Sequence, residues 1–265
     1  MERGVTDIRF EEQQIELDTG RLVYLRGGDG RPILHLHSAA GPRVSPAIEQ
    51  LASRHCIHMP TAPGFNATPA HGTITSMIEL SDLMALFVRT VVGGACDVVG
   101  ESFGGWVALW LAVRHPELVE QLVLEAPAGL RTEGTGGLPA DPGERLRMLH
   151  ALPERAPKET RSPEVLTENQ LVRERYTRGV ALDAALLEAL PRIKARTLIL
   201  FGANDEVVPV ETARRLKARI VHSHLSFIYG AAHALEFDQP RRVARLVGAF
   251  LERGEGFLVR RPDAA

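Results

Sequence analysis

A chain of 265 residues that is 45% hydrophobic is long enough for one large domain, or a domain with an insertion, around a substantial core. With 31 basic residues against 33 acidic and a formal net charge of -2, it has no overall electrostatic pull toward nucleic acid. No apolar run approaches the roughly 20 residues needed to span a bilayer, and the opening MERGVTDIRFEEQQ lacks the apolar core of a signal peptide. Cys56 and Cys96 lie in strand-like apolar stretches, the setting of two buried thiols rather than of a disulfide framework. A cytoplasmic protein without a membrane or nucleic-acid partner is the default reading. Whether it forms a homo-oligomer is left open.

In chain order, IRFEEQQIEL and RLVYLRGG flank Asp18-Thr19-Gly20 and predict an antiparallel hairpin. PILHLH (32–37) is a short strand. Ser45-Pro46 then reads as a helix cap followed by proline at the first helical position, where its missing N–H costs nothing. CIHMPTA (56–62) is the next strand, and SMIELSDLMALFVRTVV (76–92) has the apolar spacing of an amphipathic helix. CDVVG (96–100), FGGWVALWLAVRH (103–115) and EQLVLEAP (120–127) continue as strand, helix and strand. After a break, RTLILFGAND (196–205), ETARRLKARI (211–220), HLSFIYG (224–230) and PRRVARLVGAFLERG (240–254) resume the alternation. Such a rhythm implies an α/β fold, a mostly parallel central sheet with helices on both faces.

Residues 130–190 break the rhythm. They carry no convincing strand, open with a Gly-rich loop and continue as short polar helices punctuated by prolines. That is too long for an ordinary connection, and the periodic apolar positions of 180–190 argue against disorder. The expected organisation is therefore a core in two parts, 1–129 and 191–265, with a helical cap or lid at 130–190.

The chemistry centres on DVVGESFGGWVALWLA (97–112), where a strand pattern gives way to a helix pattern at Gly100-Glu101-Ser102-Phe103-Gly104. G-x-S-x-G at a strand–helix junction is the nucleophile elbow. The turn is so tight that side chains two before and two after the serine would meet the neighbouring strand and helix, and glycines at 100 and 104 avoid this. The elbow lifts the Ser102 hydroxyl clear of the sheet and leaves the Phe103 N–H at the start of a helix, where it can donate to an oxyanion. A serine needs a base and an orienting acid. Asp205 in FGANDEVVP falls just past a late strand, and His233 in IYGAAHALEFDQP falls in the loop after the last one. All three lie at C-terminal strand ends, where open parallel sheets gather reactive groups. Asp205 competes for the acid role with Glu206 and with Glu125, and His233 with nine other histidines.

The order Ser102, Asp205, His233, with GESFGG, GANDEVVP and GAAHALEFDQP, resembles the α/β-hydrolase fold superfamily over nearly the whole chain. The resemblance extends to its small lidded esterases and carbon–carbon bond hydrolases. It implies a second oxyanion donor in the loop after PILHLH, with Ala39 the best transferred N–H and Ser38 the alternative. Ser38 stands where such relatives usually carry glycine, and Asn66 stands where a second glycine is usual in the PTAPGFNATP loop. Asn tolerates the left-handed region, so that turn can survive. The resemblance needs no cofactor, and the serine elbow argues against relatives that open epoxides or displace halide, which place an aspartate there.

The remaining candidates read as structure. His35 with His37, and His222 with His224, alternate on strands as metal ligands can, but no third ligand stands at a sensible spacing, so no metal site is assigned. Trp106 and Trp110, four apart, read as core packing, and Asp238 and Pro240 as the start of the last helix. The expected activity is hydrolysis of a small to medium carboxylic ester through an acyl-enzyme on Ser102. The alternatives are hydrolysis of a carbon–carbon bond in ring-cleavage dienoates and a ligand receptor on a hydrolase scaffold. The Asn that commonly precedes the serine in the dienoate branch is Glu101 here.

Overall fold

The computed structural model describes residues 8–132, 134–139, 141–254 and 256; positions 133 and 140 of the Gly-rich loop lie outside the described residues. The chain opens with β1 (Glu11–Leu17) and β2 (Gly20–Gly27), an antiparallel hairpin turning at Asp18-Thr19. There follow β3 (Arg31–Leu36), α1 (Pro46–Ala52), β4 (His55–Pro60), α2 (Met77–Phe87), β5 (Cys96–Glu101), α3 (Phe103–Arg114) and β6 (Val119–Glu125). Three helices, α4 (Pro142–Leu149), α5 (Pro163–Thr177) and α6 (Ala184–Ala189), occupy the interval before β7 (Arg196–Gly202). The chain ends through α7 (Val210–Arg219), β8 (Ser223–Ile228), a short α8 (Leu235–Asp238) and α9 (Pro240–Arg253).

The eight strands form one sheet in the order β1-β2-β4-β3-β5-β6-β7-β8. β2 runs against both its neighbours, and every other pair is parallel, with helices covering both faces. The central strands β4, β5, β6 and β7 are buried over nearly their whole length. Their near-continuous apolar runs are what a strand covered on both faces requires. Reversal of strand order around β3 and β5 places the C-terminal ends of the central strands at the crevice where such sheets bind ligands.

Local chemistry sets the element ends. The Ser45 hydroxyl accepts from the Ile48 N–H and Pro46 takes the first turn of α1. Ser76 caps α2 through Glu79 N–H, while Glu79 reaches back to Thr75 N–H at 2.7 Å. α2 stops earlier than its apolar periodicity suggests: Val88–Val92 form a π-type turn closed by Gly93 at φ 84°. Both cysteines are buried and free, and burial pushes the Cys96 thiol up to about 12. They are inert thiols.

The two tryptophans of α3 do more than pack. Their indole N–H groups both donate to Asp183 Oδ2, at 3.0 Å from Trp106 and 2.8 Å from Trp110, while Asp183 Oδ1 caps α6 by accepting from Leu186 N–H. One carboxylate thus ties the end of the inserted segment to the helix behind the elbow. Asp183→Ala removes three hydrogen bonds and strands two buried donors. Urea unfolding followed by tryptophan fluorescence is expected to show a loss of about 2–4 kcal/mol, with a changed native emission spectrum.

Candidate active site

β5 delivers Glu101 and Ser102 to the sheet edge, and α3 begins at the next residue. Ser102 sits at φ 50°, ψ -108°, a conformation that L-residues avoid. Its backbone is fixed from both sides: the N–H donates to the Glu125 carbonyl at 2.8 Å, and its own carbonyl accepts from Trp106 and Ala128 N–H at 3.1 and 2.9 Å. The glycines around it are required by distance. A Cβ on Gly104 would lie 2.0 Å from the Leu36 carbonyl oxygen, and one on Gly100 would lie 2.7 Å from the Gly104 carbonyl oxygen and 2.8 Å from the Ala108 methyl. The tight approach of β3, β5 and α3 holds the serine in its strained turn.

Ser102, His233 and Asp205 meet in one line of hydrogen bonds. His233 Nε2 lies 2.9 Å from Ser102 Oγ, and His233 Nδ1 lies 2.9 Å from Asp205 Oδ2. The second oxygen of Asp205 accepts from the Val207 and Val208 N–H groups at 2.9 and 3.0 Å, which locks the carboxylate toward the imidazole. Glu206 is exposed and takes no part. Glu125 is buried but leaves the imidazole to Asp205, and neither of its carboxyl oxygens has a partner among the described residues. The His233 side chain is 6% exposed and that of Asp205 1%. Burial works against the imidazolium, but the Asp205 charge and hydrogen bond, with a contribution from Glu101, outweigh it and raise the His233 pKa above 6.5.

The loop after β3 is built on His37. Its Nε2 accepts the Ala62 N–H at 3.0 Å, which puts the proton on Nδ1, 2.7 Å from the Ser38 carbonyl. Burial pushes this histidine down to about 4, so it stays neutral and keeps that tautomer. The Ser38 carbonyl also accepts from Gly41 N–H at 3.0 Å. Because C=O and N–H of a trans peptide point in opposite directions, fixing the Ser38 carbonyl fixes the Ala39 N–H. The positive φ that a serine would resist is not asked of Ser38: Gly41 takes it at 85°. Asn66 does adopt the left-handed conformation, at φ 52°, ψ 41°. Among the described residues neither the Phe103 nor the Ala39 N–H has an internal acceptor.

His35 points into a different network, with Nε2 3.0 Å from Glu236 Oε1. Among the described residues no group of three or more His, Cys, Asp or Glu side chains is placed to hold a metal ion. His222 is exposed just before β8, and His224 is half-buried near the start of that strand.

Over the serine lies a cavity of about 1380 Å³, lined by Ser102, His233, Phe103 and Trp106 below and by Leu146 and Asn169 of α4 and α5 above. Besides the Asp183 link to α3, the inserted segment is fastened to the core beside the site through contacts the sequence did not reveal. Asp238, fully buried, accepts with Oδ2 from Ala232 N–H at 2.9 Å and from Ala151 N–H at 2.8 Å, and its Oδ1 lies 3.3 Å from His150 Nδ1. The Ala234 N–H, next to His233, donates to the Leu149 carbonyl at 2.8 Å. On the other side Arg161 donates to the Ala40 carbonyl and to Asn66 Oδ1, while Asn169 exchanges two hydrogen bonds with Asn66 at 2.7 and 2.9 Å. The end of α4 is thus tied to the loop of His233, the lead into α5 to the loop of Ala39, and α5 itself to the loop of Asn66. Contrary to the sequence pattern, Asp238 does not start the last helix: it closes α8, and Pro240 opens α9.

The comparisons with known proteins agree with this architecture. Residues 27–246 match the family model described as the alpha/beta hydrolase family. The chain belongs to that family. It is 28% identical to a 2-hydroxymuconate semialdehyde hydrolase of Pseudomonas sp. (strain CF600), over 86% of this chain and 89% of the relative. It is 26% identical to a pimeloyl-[acyl-carrier protein] methyl ester esterase of Chromobacterium violaceum, over 85% of this chain and 96% of the relative. Among solved structures, a meta-cleavage product hydrolase from Pseudomonas fluorescens superposes with a TM-score of 0.75 at 22% identity, covering 91% of this chain and 97% of that one. No helix among the described residues is long and apolar enough to cross a membrane.

Asp238→Asn replaces an acceptor oxygen by an amide group facing two N–H donors or a histidine nitrogen. A cooperative thermal transition together with a kcat at least about tenfold lower is the expected outcome, since an imidazole displaced by under an ångström loses that much.

Proposed function

We propose that this alpha/beta hydrolase cleaves carboxylic esters through Ser102, His233 and Asp205 by way of an acyl-enzyme. The observation that carries the reading is the unbroken line from Ser102 Oγ to His233 to Asp205, with 2.9 Å at each link. His233 Nε2 takes the serine proton as Oγ attacks the substrate carbonyl, and Asp205 holds Nδ1–H and stabilises the imidazolium. The oxyanion is received by the Phe103 N–H at the start of α3 and by the Ala39 N–H, whose peptide His37 orients. The leaving alcohol takes the proton from His233. Water, deprotonated by the same imidazole, then releases the acid. No metal or cofactor enters these steps.

The segment 130–190 acts in this reading as a cap whose α4 and α5 roof the cavity. Its volume exceeds the roughly 300–1,000 Å³ of ordinary ligand pockets, so an acyl group of medium size fits with its alcohol. The similarity to the 2-hydroxymuconate semialdehyde hydrolase favours a second reading, cleavage of a carbon–carbon bond beside a ketone. Glu101 weighs against it: it lines the cavity beside the serine at the position where the dienoate branch commonly carries Asn.

Ser102→Ala is expected to lower turnover by about 10⁴-fold or more and to abolish labelling by a fluorophosphonate, with the thermal transition unchanged. Hydrolysis near the wild-type rate rejects the reading. A panel of p-nitrophenyl esters against a ring-cleavage dienoate separates the two substrates: faster consumption of the dienoate than of any ester favours the carbon–carbon reading. Because the base must be neutral to accept the serine proton, kcat/KM is expected to fall as pH drops through the raised His233 pKa, with its midpoint above pH 6.5. A midpoint near 4 assigns the limb to another group.

A further inference from the structure

Behind the serine the sheet edge carries a group of ionisable side chains that the triad does not use. Glu101 at the end of β5 is the register partner of Glu125 at the end of β6, so the two carboxyls leave the sheet on the same face. His35 on β3 pairs in register with Val99, two residues before Glu101 and therefore also on that face. α8 supplies Glu236, three residues beyond His233, whose carboxylate lies 3.0 Å from His35 Nε2. His35, Glu125 and Glu236 are each at most 2% exposed, and of the three carboxyls only Glu101 lines the cavity that also exposes Ser102 and His233.

So many ionisable groups out of water cannot all be charged, and the neighbours of each decide which are. Burial, with Glu236 and Glu101 beside it, pushes Glu125 well above the usual carboxylate range, which favours its neutral form, and both its oxygens lack partners among the described residues. His35 is raised in spite of burial because Glu236 pairs with it. Glu101 is raised by burial and by Glu236, and drawn down by His35, His233 and the Ser38 side chain. Arg43, already paired with Glu159, also lies within its field. These are the groups that face Glu101: His35 from β3, Ser38 from the oxyanion loop, Arg43 from the approach to α1, Glu125 from β6, and Glu236 and His233 from the turn after β8. Of the other two carboxyls, Glu236 is paired with the His35 imidazole and Glu125 has no partner among the described residues. Glu101 is the one left to answer His233.

We propose that Glu101 is a positioning residue for hydrolysis: its carboxylate, one residue before Ser102 and on the same cavity wall as His233, stabilises the imidazolium that forms when His233 takes the serine proton. It receives no proton and breaks no bond; it supplies a second negative charge to the imidazolium, beside that of Asp205. Two of the positions at which this chain departs from its resemblance, Ser38 and Glu101, then belong together, since the Ser38 side chain favours the charged form of Glu101 against the effect of burial. The proposal rests on the triad reading of the site.

The test is the pH dependence of kcat/KM for a p-nitrophenyl ester in Glu101→Gln, which keeps the shape and removes the charge. Losing a carboxylate that favours the imidazolium lowers the His233 pKa. The acid limb is expected to move to lower pH by about half a pH unit or more, with kcat falling about threefold or more. Glu101→Asp is expected to keep the limb near its wild-type position. Glu101→Asp against Glu101→Asn repeats the comparison at a shorter side chain should the glutamine variant fold poorly. A proton NMR titration of His233 in a Ser102→Ala background, with and without Glu101→Gln, reads the imidazole without turnover and is expected to show the same downward shift. Activity lowered equally at every pH, with the limb and the NMR midpoint unmoved, overturns the proposal and leaves Glu101 a packing residue. Retained turnover in Ser102→Ala alone overturns the triad reading instead, so the two failures are distinct.

Discussion

The site depends on one backbone constraint, the left-handed turn at Ser102. Strain of this kind costs about 1–3 kcal/mol and persists only where its surroundings leave no alternative. Here Gly104 brings α3 so close to β3 that any Cβ would strike the Leu36 carbonyl, and Gly100 brings β5 equally close to α3. The Glu125 carbonyl and the Trp106 and Ala128 N–H groups then hold the serine peptide units on both sides. Relaxing the turn would have to break these contacts together. The consequence is chemical: the hydroxyl stands off the sheet within 2.9 Å of an imidazole carried by a loop 131 residues later.

Around that fixed point the inserted helices act as a brace. The Asp238 carboxylate joins the end of α4 to the loop of His233, and Arg161 and Asn169 join α5 to the loops that carry Ala39 and Asn66. The loops of the proposed base and of the proposed oxyanion donor thus each share a hydrogen bond with the roof of the cavity. Any motion of that roof that admits substrate also loads these two loops. Substrate entry and the geometry of the proposed triad are thus joined through hydrogen bonds made by the walls of the cavity itself.

The parallel sheet could be read in the sequence because its strands are buried on both faces and so appear as apolar runs separated by helical periods. Ser102, Asp205 and His233 stood out as candidates because each ends such a run, and an open parallel sheet sends those ends to one crevice. Elements whose partners lie in the inserted segment could not be read. Asp183 under Trp106 and Trp110, and Asp238 beside His150, depend on how polar helices fold back onto the core, and a polar helix carries little periodicity to say so. The Glu101–Glu125 pairing required the β5–β6 register, and the link of His35 to Glu236 required α8 to turn back under β3. A signal did exist for Glu101: an acidic residue at the buried end of a strand needs a partner or a proton. His35 and His37, whose alternation on a strand was not enough to assign a metal site, serve separate hydrogen-bond networks.

Rapid-quench mass spectrometry with peptide mapping, during turnover of a slowly deacylating ester, tests the central claim most directly. A strained serine made nucleophilic by His233 predicts a transient acyl adduct on the peptide containing Ser102 that forms and decays at rates consistent with kcat. Steady hydrolysis with no adduct at that residue, or with the acyl group on a different side chain, would contradict the account.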